Sequence, residues 1–353
     1  MTQPSTAVPT HTIGIDLGDR ESVYCELSEG GEILERGSIR NERAVFEEHF
    51  GAKEPVRIVI EASCQSQWIC RCLEGFGHEV IVANPRQVQL ISKSNRKSDR
   101  NDSEILARVG RMDPELLSPV TTRSEKSAAV RALLRARGQL VSIRTRLVNM
   151  VRSESKVTGT RIPTCSAKSF HRQARPHLPV ELRSALEPVL DMLAELQPRI
   201  HTYDNEVERL SAEEYPETQV LRQVKGVGPL VALTYVVTID DPHRFPRSRA
   251  LGSFLGLVPR SFQSGDRDPQ LRISKAGDRD LRKLLVGAAS YVLRKPSPAC
   301  DLKRYGTRIA RGGSPRDRAR ARVAVARKLA VLLHRLWLTG EVYEPDYAAK
   351  QAA

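Results

Sequence analysis

The sequence predicts an α/β domain continued by helices alone. A mixed sheet covered by helices spans residues 12–118, a long helical segment spans 119–218, and a mainly helical region spans 219–353, behind a short disordered arm at 1–11. Three observations predict this. Five short β-rich runs separated by helical patterns fill the first third. A 4-3 spacing of apolar residues runs through the middle. The last third alternates Gly- and Pro-punctuated turns with apolar or basic helical stretches.

Strand candidates are 12–17, 22–28, 32–39, 56–61 and 79–83, with Glu29-Gly30-Gly31-Glu32 as the hairpin signal between the second and third. Helix candidates are 41–51, 64–76, 86–93 and 101–112. A three-strand meander followed by helix, strand, helix and strand gives a mixed sheet with helical cover. The arm Met1–Thr10 has neither a basic n-region nor an apolar h-region, so it does not read as a signal peptide. No apolar run reaches membrane-spanning length.

In the middle segment Leu182, Leu186, Val189, Leu193, Leu196, Ile200, Tyr203, Val207 and Leu210 form an a/d seam. Leu133, Leu140 and Leu147, with Ala136, Ile143 and Met150, form two interleaved sevens upstream. Two long helices around a loop near 156–180 can pair antiparallel, zip with another subunit, or form an ordinary bundle. Pro198 interrupts the seam, and a mid-helix proline costs roughly 3 kcal/mol, so a kink or a break is expected there.

The last third opens on Gly226-Val227-Gly228-Pro229 before an apolar helix. This resembles half of a helix-hairpin-helix, in which backbone N–H groups at a helix start take a phosphate without reading sequence. A plain tight turn is the alternative. Next comes a polar loop with Ser264 before Gly265, flanked by Arg260, Arg267 and Arg272, then Ile273-Ser274-Lys275-Ala276-Gly277. A helix at 278–294 follows, with Arg279 and Arg282 in its first turns. Ser274 reads as a helix N-cap or a phosphate contact. A Ser-Gly pair is more often a turn than a nucleophile, although the arginines can stabilise a phosphorane. From Lys303 to Lys328 ten Lys or Arg stand against one acid, Asp317. Arg316, Arg318, Arg320 and Arg322 alternate, so on a helix they spread around it, and a basic loop around 312–315 leads into the helix at 317–338. With Gly226, Gly228, Arg260, Arg272, Ser274, Lys275, Arg279 and Arg282 they are the candidate nucleic-acid contacts.

Lys and Arg total 56 against 42 Asp and Glu, a net charge of +14. That balance favours a polyanionic partner, nucleic acid above all. The six cysteines show no zinc-site spacing and read as reduced, partly buried thiols of a cytoplasmic protein. Against this basic background four acids stand out. Asp16 interrupts the apolar run Ile13-Gly14-Ile15-Asp16-Leu17, and Glu61 ends Val56-Arg57-Ile58-Val59-Ile60-Glu61. Asp99 and Asp102 are spaced i, i+3 at a helix start. Carboxylates at the ends of buried strands repel each other and resist desolvation. A divalent cation relieves both costs, and Mg²⁺ binds through a few carboxylates while keeping water or phosphate elsewhere.

Gly14-Ile15-Asp16, Ile60-Glu61-Ala62-Ser63, Lys97-Ser98-Asp99-Arg100-Asn101-Asp102, Gly226-Val227-Gly228, Leu255-Gly256-Leu257-Val258-Pro259, Gln263-Ser264-Gly265 and Ile273-Ser274-Lys275-Ala276-Gly277 occur in that order. Together they resemble the DEDD transposases of the Piv/MooV-type insertion sequences, also called bridge recombinases, over about residues 12–343. The resemblance implies a RuvC/RNase H-like domain, a coiled-coil linker and a C-terminal transposase domain. It implies that Asp16, Glu61, Asp99 and Asp102 hold Mg²⁺, and that Ser264 is the nucleophile. Ser261 and Ser274 are near enough in sequence to compete for that role, and the resemblance favours Ser264. It also implies target and donor DNA as substrates, a structured bridge RNA as guide, and dimers that assemble to tetramers in a bacterial or archaeal nucleoid. Cys64 departs from the glycine many relatives carry after Glu-Ala-Ser/Thr.

Three other readings remain open at this point: a RuvC-like nuclease or junction resolvase with water as nucleophile, an actin-like ATPase or sugar kinase, and a non-enzymatic nucleic-acid-binding protein. The second rests on Gly14-Ile15-Asp16-Leu17-Gly18, but Asp19-Arg20 follows where that motif has Thr or Ser. The third leaves the four acids unexplained.

Overall fold

The computed structural model describes residues 11–91, 98–263, 269 and 271–347. The chain packs as two units, Met1–Arg123 and Ser124–Ala353. The expected arm at 1–11 lies almost wholly outside the described residues.

The first unit runs β1 (Thr12–Asp16), β2 (Glu21–Leu27), β3 (Ile33–Arg40), α1 (Arg43–Phe50), β4 (Arg57–Glu61), α2 (Ser66–Gly75), β5 (Glu79–Ala83), α3 (Pro85–Ile91) and α4 (Asp99–Met112). The strands form one mixed sheet in the order β3-β2-β1-β4-β5. β2 pairs antiparallel with β1 and β3, whereas β1, β4 and β5 run parallel. This architecture is compatible with an RNase H-like α/β domain. Successive strand residues face opposite sides, and the two faces differ. Ile13, Ile15, Ile58 and Ile60 pack with Phe46 and Phe50 of α1 and Ile69 and Leu73 of α2. Val59, Ile81 and Ala83 pack on the other side with Val88 of α3 and Leu106 of α4.

In the second unit, α5 (Glu125–Val157), α6 (Phe170–Ala174) and α7 (Arg183–Arg209) precede α8 (Glu217–Arg222), α9 (Pro229–Ile239), α10 (Leu251–Phe254), α11 (Arg279–Val292), α12 (Asp301–Ile309) and α13 (Pro315–Thr339). α5 and α7 lie antiparallel: Arg137 Nε donates to Asp204 Oδ1 at 2.8 Å and Arg144 Nη1 to Gln197 Oε1 at 2.7 Å. At one end of this pair Val148, Val151, Phe170, Leu186, Leu190 and Leu193 close a small core. At the other, Val130, Leu134, Val207 and Leu210 join the large core of α9, α11 and α13. α9 is apolar all round, which suits only a buried helix, and every residue from Val231 to Ile239 is buried. Its Tyr235 hydroxyl donates to the Ala330 carbonyl of α13 at 2.6 Å.

The kink or break expected at Pro198 needs correction as far as the break is concerned. α7 runs without interruption through both Pro188 and Pro198. Both prolines are exposed, so their rings project to solvent while the apolar stripe stays packed. The contacts with α5 along its length offset the missing backbone hydrogen bonds.

Candidate active site

Two strands and one helix position the four acids. The parallel register of β1 and β4 ends at Ile15↔Ile60. Asp16 and Glu61 each follow by one residue, so both half-buried carboxylates stand at the same edge of the sheet. α4 fixes the third and fourth. It crosses β1 so closely that a Cβ on Gly14 would stand 2.1 Å from the Ser103 carbonyl oxygen and 2.4 Å from the Ala107 nitrogen. Only glycine permits that approach. A Cβ on Gly110 would likewise sit 2.3 Å from a Val59 methyl. Arg57, which opens β4, donates to the Gly110 carbonyl at 3.0 Å, and Arg111 donates to the Glu29 carbonyl at 2.9 Å beside the β2–β3 turn. The C-terminal end of α4 therefore lies opposite Asp16, and its first turn lies at the acidic end.

That first turn carries Asp99 and Asp102, and the Ser98 hydroxyl caps it by accepting from the Asn101 N–H. Acids at a helix start are favoured by the helix dipole, worth about 0.3–1 kcal/mol each. Asp99 is exposed and Asp102 half-buried. Glu104, one turn on, ties α4 to the sheet through Arg36 of β3 and to Arg108 at 2.7 Å. A polar groove of about 400 Å³ adjoins this end, lined by Val23, the register partner of Asp16, and by Arg36, Ser38 and Arg100.

Asp16 and Glu61 thus share one edge of the sheet, and Asp99 and Asp102 stand on the first turn of α4, but the four acids are not gathered. Among the described residues no three His, Cys, Asp or Glu side chains form a group able to hold a metal ion. The donor type still fits Mg²⁺. Carboxylate oxygens are hard ligands, and Mg²⁺ is commonly held by one or two of them with water completing its shell, so no preassembled cage is needed.

The predicted serine loop lies in the second unit. Ser264 and Gly265 lie outside the described residues, as does Arg267, but both arms of the loop are described. Arg260 N–H donates to the Arg272 carbonyl at 3.0 Å, Ser274 N–H to Val258 at 2.9 Å, and Lys275 N–H to Gly256 at 3.1 Å. The arms thus form a short antiparallel neck around the Pro259↔Ile273 bridge. Gly256 and Gly277 both have positive φ, and a Cβ on Gly277 would stand 1.9 Å from the Phe254 carbonyl oxygen. Arg282, expected to contact nucleic acid, instead places Nη1 2.9 Å from the Leu255 carbonyl and 2.7 Å from that of Ala276. It clasps the neck. Arg260, Arg272, Lys275 and Arg279 are exposed around it.

The N-cap expected at Ser274 also needs correction. Asp278 caps α11, accepting from the Leu281 N–H at 2.8 Å, while Ser274 Oγ accepts from the Ala276 N–H in a turn. Asp278 is also paired with buried Arg131 of α5 at 2.7 Å, and Arg131 in turn reaches Thr238 of α9. The signal was present in Asp278-Arg279-Asp280-Leu281, an N-cap residue three positions before an apolar one. Gly226, with φ +89, and Gly228, the N-cap of α9, turn the chain between α8 and α9 against Ala288 and Tyr291 of α11. Arg316, Arg318, Arg320 and Arg322 are all exposed on the first turns of α13.

A family model for transposases of the DEDD IS110 type matches residues 13–154, and one described as the IS116/IS110/IS902 transposase family matches residues 218–305. The chain is 30% identical to a transposase for insertion sequence element IS1111A of Coxiella burnetii, over 94% of this chain and 90% of that protein. It is 27% identical to a transposase for insertion sequence element IS1328 of Yersinia enterocolitica, over 80% of this chain and 84% of the relative. A probable family 20 transposase of Pseudomonas aeruginosa matches equally well, at 27% over 80% and 84%. The chain belongs to the IS110/IS1111 family of insertion-sequence transposases, enzymes that recombine DNA. No helix among the described residues is long and apolar enough to cross a membrane.

Proposed function

We propose that this transposase cuts and rejoins DNA through a serine–phosphodiester intermediate. Ser264 Oγ attacks a backbone phosphorus. An Oγ–P bond forms as the bond from phosphorus to the departing strand's 3′ oxygen breaks. The proton lost from Oγ is balanced by one gained, through solvent, at that 3′ oxygen, which leaves as a hydroxyl. The strand is held as a 5′-phosphoserine. Attack by another 3′ hydroxyl reverses the step and reseals the backbone without ATP, because the covalent link conserves the bond energy. Asp16, Glu61, Asp99 and Asp102 are the residues that would hold Mg²⁺, which supplies positive charge against the phosphorane when bound. The exposed Arg260, Arg272, Lys275 and Arg279 carry the strand to the loop.

The observation that carries this reading is the acidic end of the first unit. β1 and β4 bring Asp16 and Glu61 to one edge, and α4 is oriented with Asp99 and Asp102 at that edge. The helix dipole accounts for acids on the first turn of α4, but it gives no reason for Asp16 and Glu61 at the same edge. A bridge RNA that pairs with target and donor DNA, and a dimer-to-tetramer assembly in which the tetrad of one subunit serves the serine of another, complete the proposal. The antiparallel α5–α7 pair is suited to such assembly as a coiled coil.

The test is trapping of a denaturation-resistant protein–DNA adduct. Wild-type protein is expected to yield it with cleavable DNA and Mg²⁺, and Ser264→Ala is expected to yield none. An adduct that persists in Ser264→Ala removes the serine from the mechanism. Hydrolysed product without any adduct in the wild type would point to water as nucleophile.

A further inference from the structure

A cleft in the second unit lies between the end of α11, α12 and the start of α13. Its volume is about 920 Å³. Lys295, Lys303, Arg311, Arg318 and Arg322 form its rim, and no carboxylate among the described residues lines it. Leu293, Ala310, Pro315 and Ala321 supply an apolar floor. Lys303 Nζ donates to the Lys295 carbonyl at 3.2 Å and to that of Ser297, fixing the turn that presents Lys295. Arg318 and Arg322 are one helical turn apart on α13 and so share a face. Arg316 and Arg320 have a different setting: both act on the Asp317 carboxylate, which Ser314 also hydrogen-bonds.

Five like charges, from α12, α13 and the turns around them, stand about one depression and repel each other, and a polyanion relieves that repulsion. Duplex nucleic acid offers such a groove only its backbone, leaving the apolar floor wet. An unpaired strand offers both parts, phosphates for the rim and a base for the floor.

We propose that this cleft binds an unpaired segment of nucleic acid, with its phosphates on Lys295, Arg311, Arg318 and Arg322 and a base against Leu293 and Ala310. The inference rests on the chain's acting on DNA as a transposase, and is independent of Ser264 and of the tetrad. Unpaired DNA and unpaired RNA share the required chemistry.

The experiment measures binding by the full chain to fluorescein-labelled oligo-dT, oligo-U and a blunt DNA duplex across a salt series. Arg318→Gln with Arg322→Gln should weaken single-strand binding about tenfold and lower its salt slope by about 1.4, at about 0.7 per phosphate. Duplex binding should change less than twofold. Arg316→Gln with Arg320→Gln, a pair of the same charge, should leave the single-strand slope unchanged. Thr307→Trp, at an exposed position lining the cleft, should weaken single-strand binding and leave the slope unchanged, because it fills the floor while keeping every cation. Greater loss for oligo-U assigns the cleft to RNA, and greater loss for oligo-dT assigns it to DNA. Equal loss for duplex and single strands, equal effects of the two arginine pairs, or no effect of Thr307→Trp would overturn the proposal. Because no cleavage is read, the result does not depend on whether Ser264 forms an adduct.

Discussion

The two units of this transposase divide the charge unequally. Up to Arg123, Asp and Glu outnumber Lys and Arg; all of the positive excess, and more, lies from Ser124 onward. The first unit sets Asp16 and Glu61 at one edge of a sheet, with Asp99 and Asp102 on the first turn of α4, and in the proposed function a cation relieves their repulsion of a phosphodiester. The second exposes cations around a clasped loop neck and a cleft. In the proposed function this difference corresponds to two tasks, with a polyanion held by the helical unit and charge at the reacting phosphate controlled by the sheet unit. Both units combine apolar packing with close backbone approach at glycine, at Gly14 in the sheet unit and at Gly277 in the helical unit, and the helical unit adds the buried polar tie Arg131–Asp278.

The comparison can be broken first at Gly14. Replacement by Ala drives a Cβ into the α4 backbone and is expected to destabilise the first unit by about 3 kcal/mol. Trp68 lies on α2 and Trp337 on α13, so Trp337→Phe and Trp68→Phe backgrounds report the units separately in urea. Gly14→Ala should shift the Trp68 transition and leave the Trp337 transition in place. Equal shifts would mean that the units do not stabilise themselves independently.

A smaller effect sharpens the electrostatic side. Burial alone would raise the Glu26 carboxyl, but hydrogen bonds from Lys53, at 2.7 Å, and His11, at 3.0 Å, outweigh it and hold the carboxyl below its ordinary value. With the folded value depressed, the stabilisation is present above the unfolded value and is lost as pH falls through the folded one. Glu26→Gln should therefore be less stable than wild type near neutrality, and the gap should close between about pH 5 and pH 3. Thermal melting of the Trp68 signal across that range checks it, and a gap that widens in acid would contradict the assignment.

Much of the first unit is legible in the sequence. The five strand candidates lie within about a residue of the observed strands because period-2 runs bounded by turn residues have few competing conformations. The acidic edge was readable because Asp16 and Glu61 end apolar runs. The need for glycine at 14 was not, since it depends on which helix crosses the strand. In the second unit the long helices are legible from their period, but α7 does not break at Pro198, whose exposed ring leaves the packed stripe intact. The N-cap was sought at Ser274 by residue type, whereas the helix begins at Asp278, which is also tied to Arg131 of a helix far away in sequence. The cleft cations come from α12, α13 and the turns around them, so only folding brings Lys295, Lys303 and Arg311 beside Arg318.

The division of tasks is tested most directly with Asp102→Asn, which keeps shape and removes one charge from the acidic edge. DNA binding and strand cleavage should be measured on the same preparation with Mg²⁺ present. The account predicts cleavage reduced below detection with DNA affinity within about twofold of wild type, since it assigns phosphate binding to the other unit. Cleavage that survives at the wild-type rate, or DNA affinity lost together with cleavage in a folded protein, would contradict it.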